Sequence, residues 1–255
     1  MLSSFSARII LLVSVFSSIL CSSLQAHPQD EDIILDIEQG VMSLDTETLK
    51  RERIAAEKRK QQRQLNALPT QQKFLKYIEA GIEHIVPKGL DHILFVVGLF
   101  FSTLSIKRLL LFVTAFTGAH TATLGLAALG WVSVPGWIVE PLIALSIAYV
   151  ALENLLSKEP SRSRIYWIFG FGLLHGLGFA SVLVDYGLPQ NAMILALVAF
   201  NIGVEIGQLL IILSLLVVFY GFRTSRYYRR CIQIPISVII GLAGSYWFIE
   251  RVFLS

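Results

Sequence analysis

From residue 73 to its C-terminus the chain is almost continuously apolar. A soluble fold cannot bury so much unbroken apolar sequence, so this feature decides the fold class. Short polar turns divide the run into segments at 89–104, 108–130, 136–156, 164–184, 191–219 and 232–254. A helix needs about 20 apolar residues to cross about 30 Å of hydrocarbon. The segment 89–104 is marginal and crosses only if what precedes it contributes. That preceding stretch, 73–86, carries Phe74, Tyr77, Ile78, Gly81, Ile82 and Ile85 at helical spacing. It reads as an amphipathic lead-in helix closed by Pro87. Inside a bilayer, backbone polar groups must be satisfied within the segment, which favours helices. Only 15% of residues are charged and 55% are hydrophobic, where a soluble domain is about 25% charged. This balance excludes a soluble enzyme, a disordered protein and a nucleic-acid binder. The net charge of +3 is too small and scattered to be a phosphate-binding footprint. The expected fold is therefore all-α: a polytopic, six-helix transmembrane bundle over residues 73–255.

Two further segments precede it. Residues 1–26 have the layout of a cleaved secretory signal: Arg8, a short apolar run from Ile9, then Ala26 as the cleavage position. Cleavage there would make His27 the new N-terminus, whose amine and imidazole form a metal-chelating pair, although an exposed tail histidine is the plainer reading. Residues 27–72 form a hydrophilic extracytoplasmic segment, acidic from Asp30 to Glu38 and partly helical. Its helix is expected to start at Asp45 or Thr46 and run to about Asn66, before Pro69. It reads as a solvated spacer or a docking arm.

The loops carry a topological signal. Lys107 and Arg108 follow the first crossing, Lys158, Arg162 and Arg164 the third, and Arg223, Arg226, Arg229 and Arg230 the fifth. The loops 131–135 and 185–190 carry no Lys or Arg. By the positive-inside rule the basic loops are cytoplasmic and the mature N-terminus lies outside, in agreement with a signal sequence.

Ionisable groups at a helix centre cost roughly 2.5–3.5 kcal/mol each on insertion scales, so they persist when paired or functional. Here Glu83, His84, Asp91 and His92 stand together in EHIVPKGLDH, His120 in FTGAHTATL, Glu140 in WIVEP and His175 in FGLLHGLGFA. Asn201, Glu205 and Gln208 follow at i, i+4 and i+7, on one helix face. Thr117 and Thr121 flank His120. Any one of these residues alone reads as hydrogen-bonded packing, and Glu153 reads as a partner for Lys158. Jointly, imidazoles and carboxylates make a donor set for a divalent transition metal such as Ni, Co or Zn. His84, Asp91, His92, His120, His175, Glu140 and Glu205 are the candidate ligands. Asn201, Gln208, Thr117 and Thr121 are candidates for a transport path. Transporters hold substrate near the midplane between helices in this way.

The strings GLDHILFVVGLF, FTGAHTATL, EPLIALSIAYVALEN, FGLLHGLGFASVL and FNIGVEIGQ fall in order over about 74–255 and together resemble the HupE/UreJ family of bacterial membrane proteins. The resemblance implies uptake of nickel or cobalt across the inner membrane, with His84, Asp91, His92, His120 and His175 as the residues to test. One family pattern departs here: His175 and Gly176 match, but no Glu follows within that helix, and Glu205 is the only replacement. The leading expectation is a metal permease without ATP coupling, since no P-loop pattern occurs. The alternatives are an intramembrane zinc-dependent hydrolase, with Glu205 as base, and a non-catalytic membrane assembly factor. The expected partners are the metal ion and the lipid bilayer, with a homo-oligomer or a further protein left open.

Overall fold

The computed structural model describes residues 43–157, 160–186, 188–189 and 191–254. The signal peptide, His27, the acidic stretch 30–38 and Lys158 lie outside them. Among the described residues the chain is helical throughout. In order come α1 (Ser43–Ala67), α2 (Thr70–Ile85), α3 (Leu90–Ser102), α4 (Ile106–Ala128), α5 (Gly136–Leu156), α6 (Arg164–Tyr186), α7 (Met193–Phe219) and α8 (Ile234–Phe253). A 3₁₀ turn (Tyr220–Phe222) extends α7, and a π turn (Arg229–Gln233) leads into α8.

The protein is a multi-pass helical membrane protein. Four described helices are long and apolar enough to cross a bilayer: α4, α5, α7 with its 3₁₀ turn, and α8 with its π turn. The pair α2 and α3 passes the same test as one unit bent by 71°. This fits the expectation that 89–104 is marginal without what precedes it. Helix α3 has 13 residues, about 20 Å, and is too short to cross alone. The lead-in helix α2 that precedes it packs closely along α7.

Three helix pairs make the framework: α4 with α6, α5 with α8, and α2 with α7. Each pair uses glycine to bring backbones together, as membrane helices commonly do. A Cβ at Gly81 or Gly203 would strike the Phe200 or Ile78 carbonyl across the α2–α7 seam. A Cβ at Gly172 or Gly176 would strike the Phe116 or His120 carbonyl across the α4–α6 seam. The short α3 runs through the middle, touching α4, α5, α7 and α8, and every residue from Val96 to Ser102 is buried. The outward faces are apolar, with Leu213, Ile239 and Leu242 more than half exposed. That is the reverse of a soluble surface and suits contact with lipid chains.

Helix ends follow local chemistry. Ser105 caps α4 by accepting the Arg108 backbone N–H. Gly130 ends it with φ +74°, while Trp131 N–H bonds Leu126 O and Gly130 N–H bonds Ala127 O, each at 3.0 Å.

The basic residues of the loops have structural partners. Arg223 donates to Thr103 O at 2.6 Å, at the end of α3. Arg229 donates to Ser157 O and Leu155 O at the end of α5. Both cations sit where helix carbonyls lack partners and the helix dipole is negative. Arg164 is buried, pairs with Glu153 Oε2 at 3.2 Å and donates to Asn154 Oδ1, which ties α6 to α5. Glu153, expected to pair with Lys158, has this inter-helix partner because Arg164 approaches it from the start of α6. At the opposite end of the bundle, α1 is almost wholly exposed, but its last turns dock. Leu65 is buried, Gln62 donates to Leu188 O at 2.7 Å, and buried Lys73 bonds both Asn66 O and Asn191 Oδ1.

Candidate metal centre

The site is built on the break between α2 and α3. Pro87 lacks an N–H and cannot continue α2. The chain turns back over its end, with Val86 N–H on Ile82 O, Lys88 N–H on Glu83 O and Gly89 N–H on Ile85 O. Gly89 permits this, since a Cβ there would strike the His84 carbonyl. The break therefore puts His84, on the last turn of α2, beside Asp91 and His92, on the first turn of α3. An acidic residue suits that position, where the helix dipole is positive. Asp91 Oδ1 accepts the His92 backbone N–H at 2.8 Å and lies 3.0 Å from His92 Nδ1.

The α4–α6 pair delivers the other two rings. His120 and His175 lie on facing sides of the seam that Gly172 and Gly176 hold tight, and Thr123 Oγ1 clips it by donating to Leu173 O at 2.8 Å. All four imidazoles converge. Ring centroids are 4.7 Å apart for His84–His92, 4.9 Å for His92–His175, 5.7 Å for His92–His120 and 6.0 Å for His84–His120. His92, His120 and His175 are at most 2% exposed.

The hydrogen bonds fix which nitrogens are available. The carboxylate and the Phe171 carbonyl can only accept, so His92 Nδ1 and His175 Nδ1 (2.8 Å from Phe171 O) carry the protons. Each ring then presents a bare Nε2. Both of those atoms are buried without a hydrogen-bond partner, as are His84 Nε2 and both nitrogens of His120. Buried polar atoms are nearly always partnered, so this concentration of orphans in one place points to a ligand.

The spacing suits one ion. With metal–nitrogen bonds of about 2.0–2.1 Å at tetrahedral angles, two bound imidazoles hold their centroids about 5 Å apart. The orientation does not yet match: among the described residues no group of three or more His, Cys, Asp or Glu side chains is arranged to hold a metal ion. The rings stand mostly edge to face, and ligation requires them to turn about their side-chain torsions.

The other sequence candidates fall elsewhere. Glu205 and Gln208 form two rungs between α7 and α4, with Thr114 Oγ1 donating to Glu205 Oε1 and Thr117 Oγ1 to Gln208 Oε1, each at 2.8 Å. Glu205 Oε2, Gln208 Nε2 and Asn201 Oδ1 are buried without partners. Asn201 Nδ2 and Thr121 Oγ1 bond carbonyls of their own helices, Leu197 O and Thr117 O. Thr117 and Thr121 bracket His120 on α4, so this ladder adjoins the imidazole cluster. Glu140 does not join it: the residue is exposed on α5, and its carbonyl accepts from Arg251.

The walls were not anticipated from sequence. The ring of Phe179 lies 3.7 Å from that of His84 and stacks on Phe200 at 5.2 Å. Phe95 and Phe116 pack against His175 at 5.5 and 4.9 Å. The site thus sits at the seam of two apolar clusters, one around α2 and α7 and one around α3. Helical spacing held the clue, since Phe95 is three residues from His92 and Phe116 four from His120.

Residues 58–251 match a family model described as HupE / UreJ protein, covering more than half of the chain. No curated protein and no solved structure matches the chain.

Proposed function

The chain belongs to the HupE/UreJ family, and from that premise we propose that it is a permease for a divalent transition metal of the nickel or cobalt type. One observation carries the reading: four imidazoles, three buried and one (His84) half-buried, gather beside one carboxylate at a helix break with buried nitrogens that lack partners. Soft-to-borderline nitrogen donors select this class of cation over magnesium or calcium. A broken helix whose ends meet inside the bundle is a recurrent way to build an ion site in a transporter.

The reading takes six crossings: the bent α2–α3 unit, α4, α5, α6, α7 and α8. The basic loops face the cytoplasm of a bacterial inner membrane, and α1 lies outside. An ion entering from outside meets Asp91, His84 and His92. It passes to His120 and His175, then along Asn201, Glu205, Gln208 and Thr117, with release at the basic end. Helix α4 runs outward from that end, so Thr117 and Thr114 follow His120 on the inward path. A dication moving down 100 mV gains about 4.6 kcal/mol, from about 2.3 per charge. That supports accumulation on the order of a thousandfold without ATP. A zinc hydrolase with Glu205 as its base is the second reading; Glu205 Oε1 accepts from Thr114 rather than from a histidine.

Uptake of radiolabelled nickel or cobalt into proteoliposomes, with a membrane potential imposed, tests the proposal. Wild type accumulates label, and His120→Ala abolishes it. Uptake unchanged by His120→Ala would remove that residue and its cluster from the mechanism.

A further inference from the structure

We propose that the protein holds an anionic phospholipid by its phosphate at the basic end of the bundle, in a site separate from the metal path. Two adjoining cavities there share Leu104 and Arg223. One, of about 190 Å³, has a mixed lining that includes Arg223, Arg226, Arg229, Thr103 and Gln233. The other, of about 280 Å³, is mainly apolar and includes Leu104, Ile106, Leu216 and Tyr220. Among the described residues neither is lined by an Asp or a Glu.

Charge balance identifies the ligand's head. Arg223 and Arg229 donate to backbone carbonyls, and neither has a carboxylate partner among the described residues. Arg226 lies over the Tyr227 ring and is exposed. Three guanidinium groups around one small cavity, with no carboxylate among the described residues of its lining, match a phosphate, which arginine binds through paired N–H donors. The adjoining apolar cavity identifies the rest. It opens beside Leu104, Ile106 and Tyr220, which are 54%, 42% and 73% exposed, on the surface that meets lipid chains. A free inorganic anion has no use for that second cavity, whereas a phospholipid fills both, its phosphate among the arginines and its acyl chains along Leu104 and Ile106. Basic pockets between transmembrane helices bind anionic headgroups elsewhere by this chemistry.

The test uses the full chain in phosphatidylcholine nanodiscs, with and without phosphatidylglycerol. Bound lipid is counted by native mass spectrometry after transfer to neutral detergent. Arg226→Gln is compared with Arg230→Gln, which removes the same charge from the same segment but does not line the cavity. Arg226 holds no hydrogen bond to the bundle, and a thermal melt on each variant confirms folding. Wild type and Arg230→Gln are expected to retain phosphatidylglycerol in preference to phosphatidylcholine, and Arg226→Gln to retain on the order of tenfold less. Equal loss in both variants would reduce the effect to surface charge and overturn the site. So would wild type that retains no lipid preferentially. Displacement of the lipid by millimolar inorganic phosphate would assign the arginines to a soluble anion and overturn the lipid assignment.

Discussion

Asp91→Asn isolates what the carboxylate contributes to the imidazole cluster. Its Oδ1 accepts two bonds from His92, the backbone N–H and Nδ1–H, and the asparagine oxygen can accept both. Geometry and tautomer are therefore retained, while the negative charge is lost. That charge holds the His92 ring through Nδ1 and lies beside an arriving dication. Removing such a carboxylate partner of a metal-binding histidine costs about 10–100-fold in affinity, or about 1.4–2.7 kcal/mol. The charge at the first turn of α3 contributes a further 0.3–1 kcal/mol, roughly, to stability and none to binding. Asp91→Leu also removes both acceptors and frees the His92 ring to rotate, so its loss must be the larger. Calorimetric titration of the purified protein with Ni²⁺ or Co²⁺ should rank wild type above Asp91→Asn above Asp91→Leu. An Asp91→Asn protein that binds within about twofold of wild type would reduce Asp91 to a helix-capping residue and refute the reasoning.

Gly176→Ala should part α4 from α6, because the new Cβ meets the His120 carbonyl and Thr123 Oγ1; a melt lowered by about 1–3 kcal/mol, with weakened metal binding, is the expected result. Arg164→Gln leaves the half-buried Glu153 without its ion pair and should destabilise by about 3 kcal/mol, read by thermal unfolding in detergent, while metal affinity in the surviving fold stays near wild type. Glu140→Gln should leave uptake unchanged, since Glu140 is exposed outside the imidazole cluster; loss of uptake would restore it to the path.

The membrane class of the fold was legible because hydropathy is a long-range average that no single contact overrides. The candidate histidines were legible for the opposite reason. A polar residue in an apolar run is conspicuous, and His84, His92, His120 and His175 arrive together from four helices. What periodicity could not express was geometry between segments. Sequence showed that 89–104 depends on the helix before Pro87, but not that the two meet at a bend of 71°. Glu140 shares the chemistry of a ligand but not its burial, and burial is decided by neighbours far away in the chain. Arg223 and Arg229 read as topology markers, yet each also reaches across more than 70 positions to cap a helix end. The docking of α1 through Gln62 and Lys73 likewise depends on the stretch between α6 and α7, more than 100 residues later.

The central claim is that the four imidazoles share one ion. X-ray absorption at the metal edge of nickel- or cobalt-loaded purified protein tests it directly. The account predicts three or four imidazole nitrogens per ion, at about 2.0–2.1 Å for a zinc-like site, with fewer in His92→Ala and fewer still in His92→Ala/His120→Ala. A first shell of oxygen alone, or one unchanged by those substitutions, would contradict it.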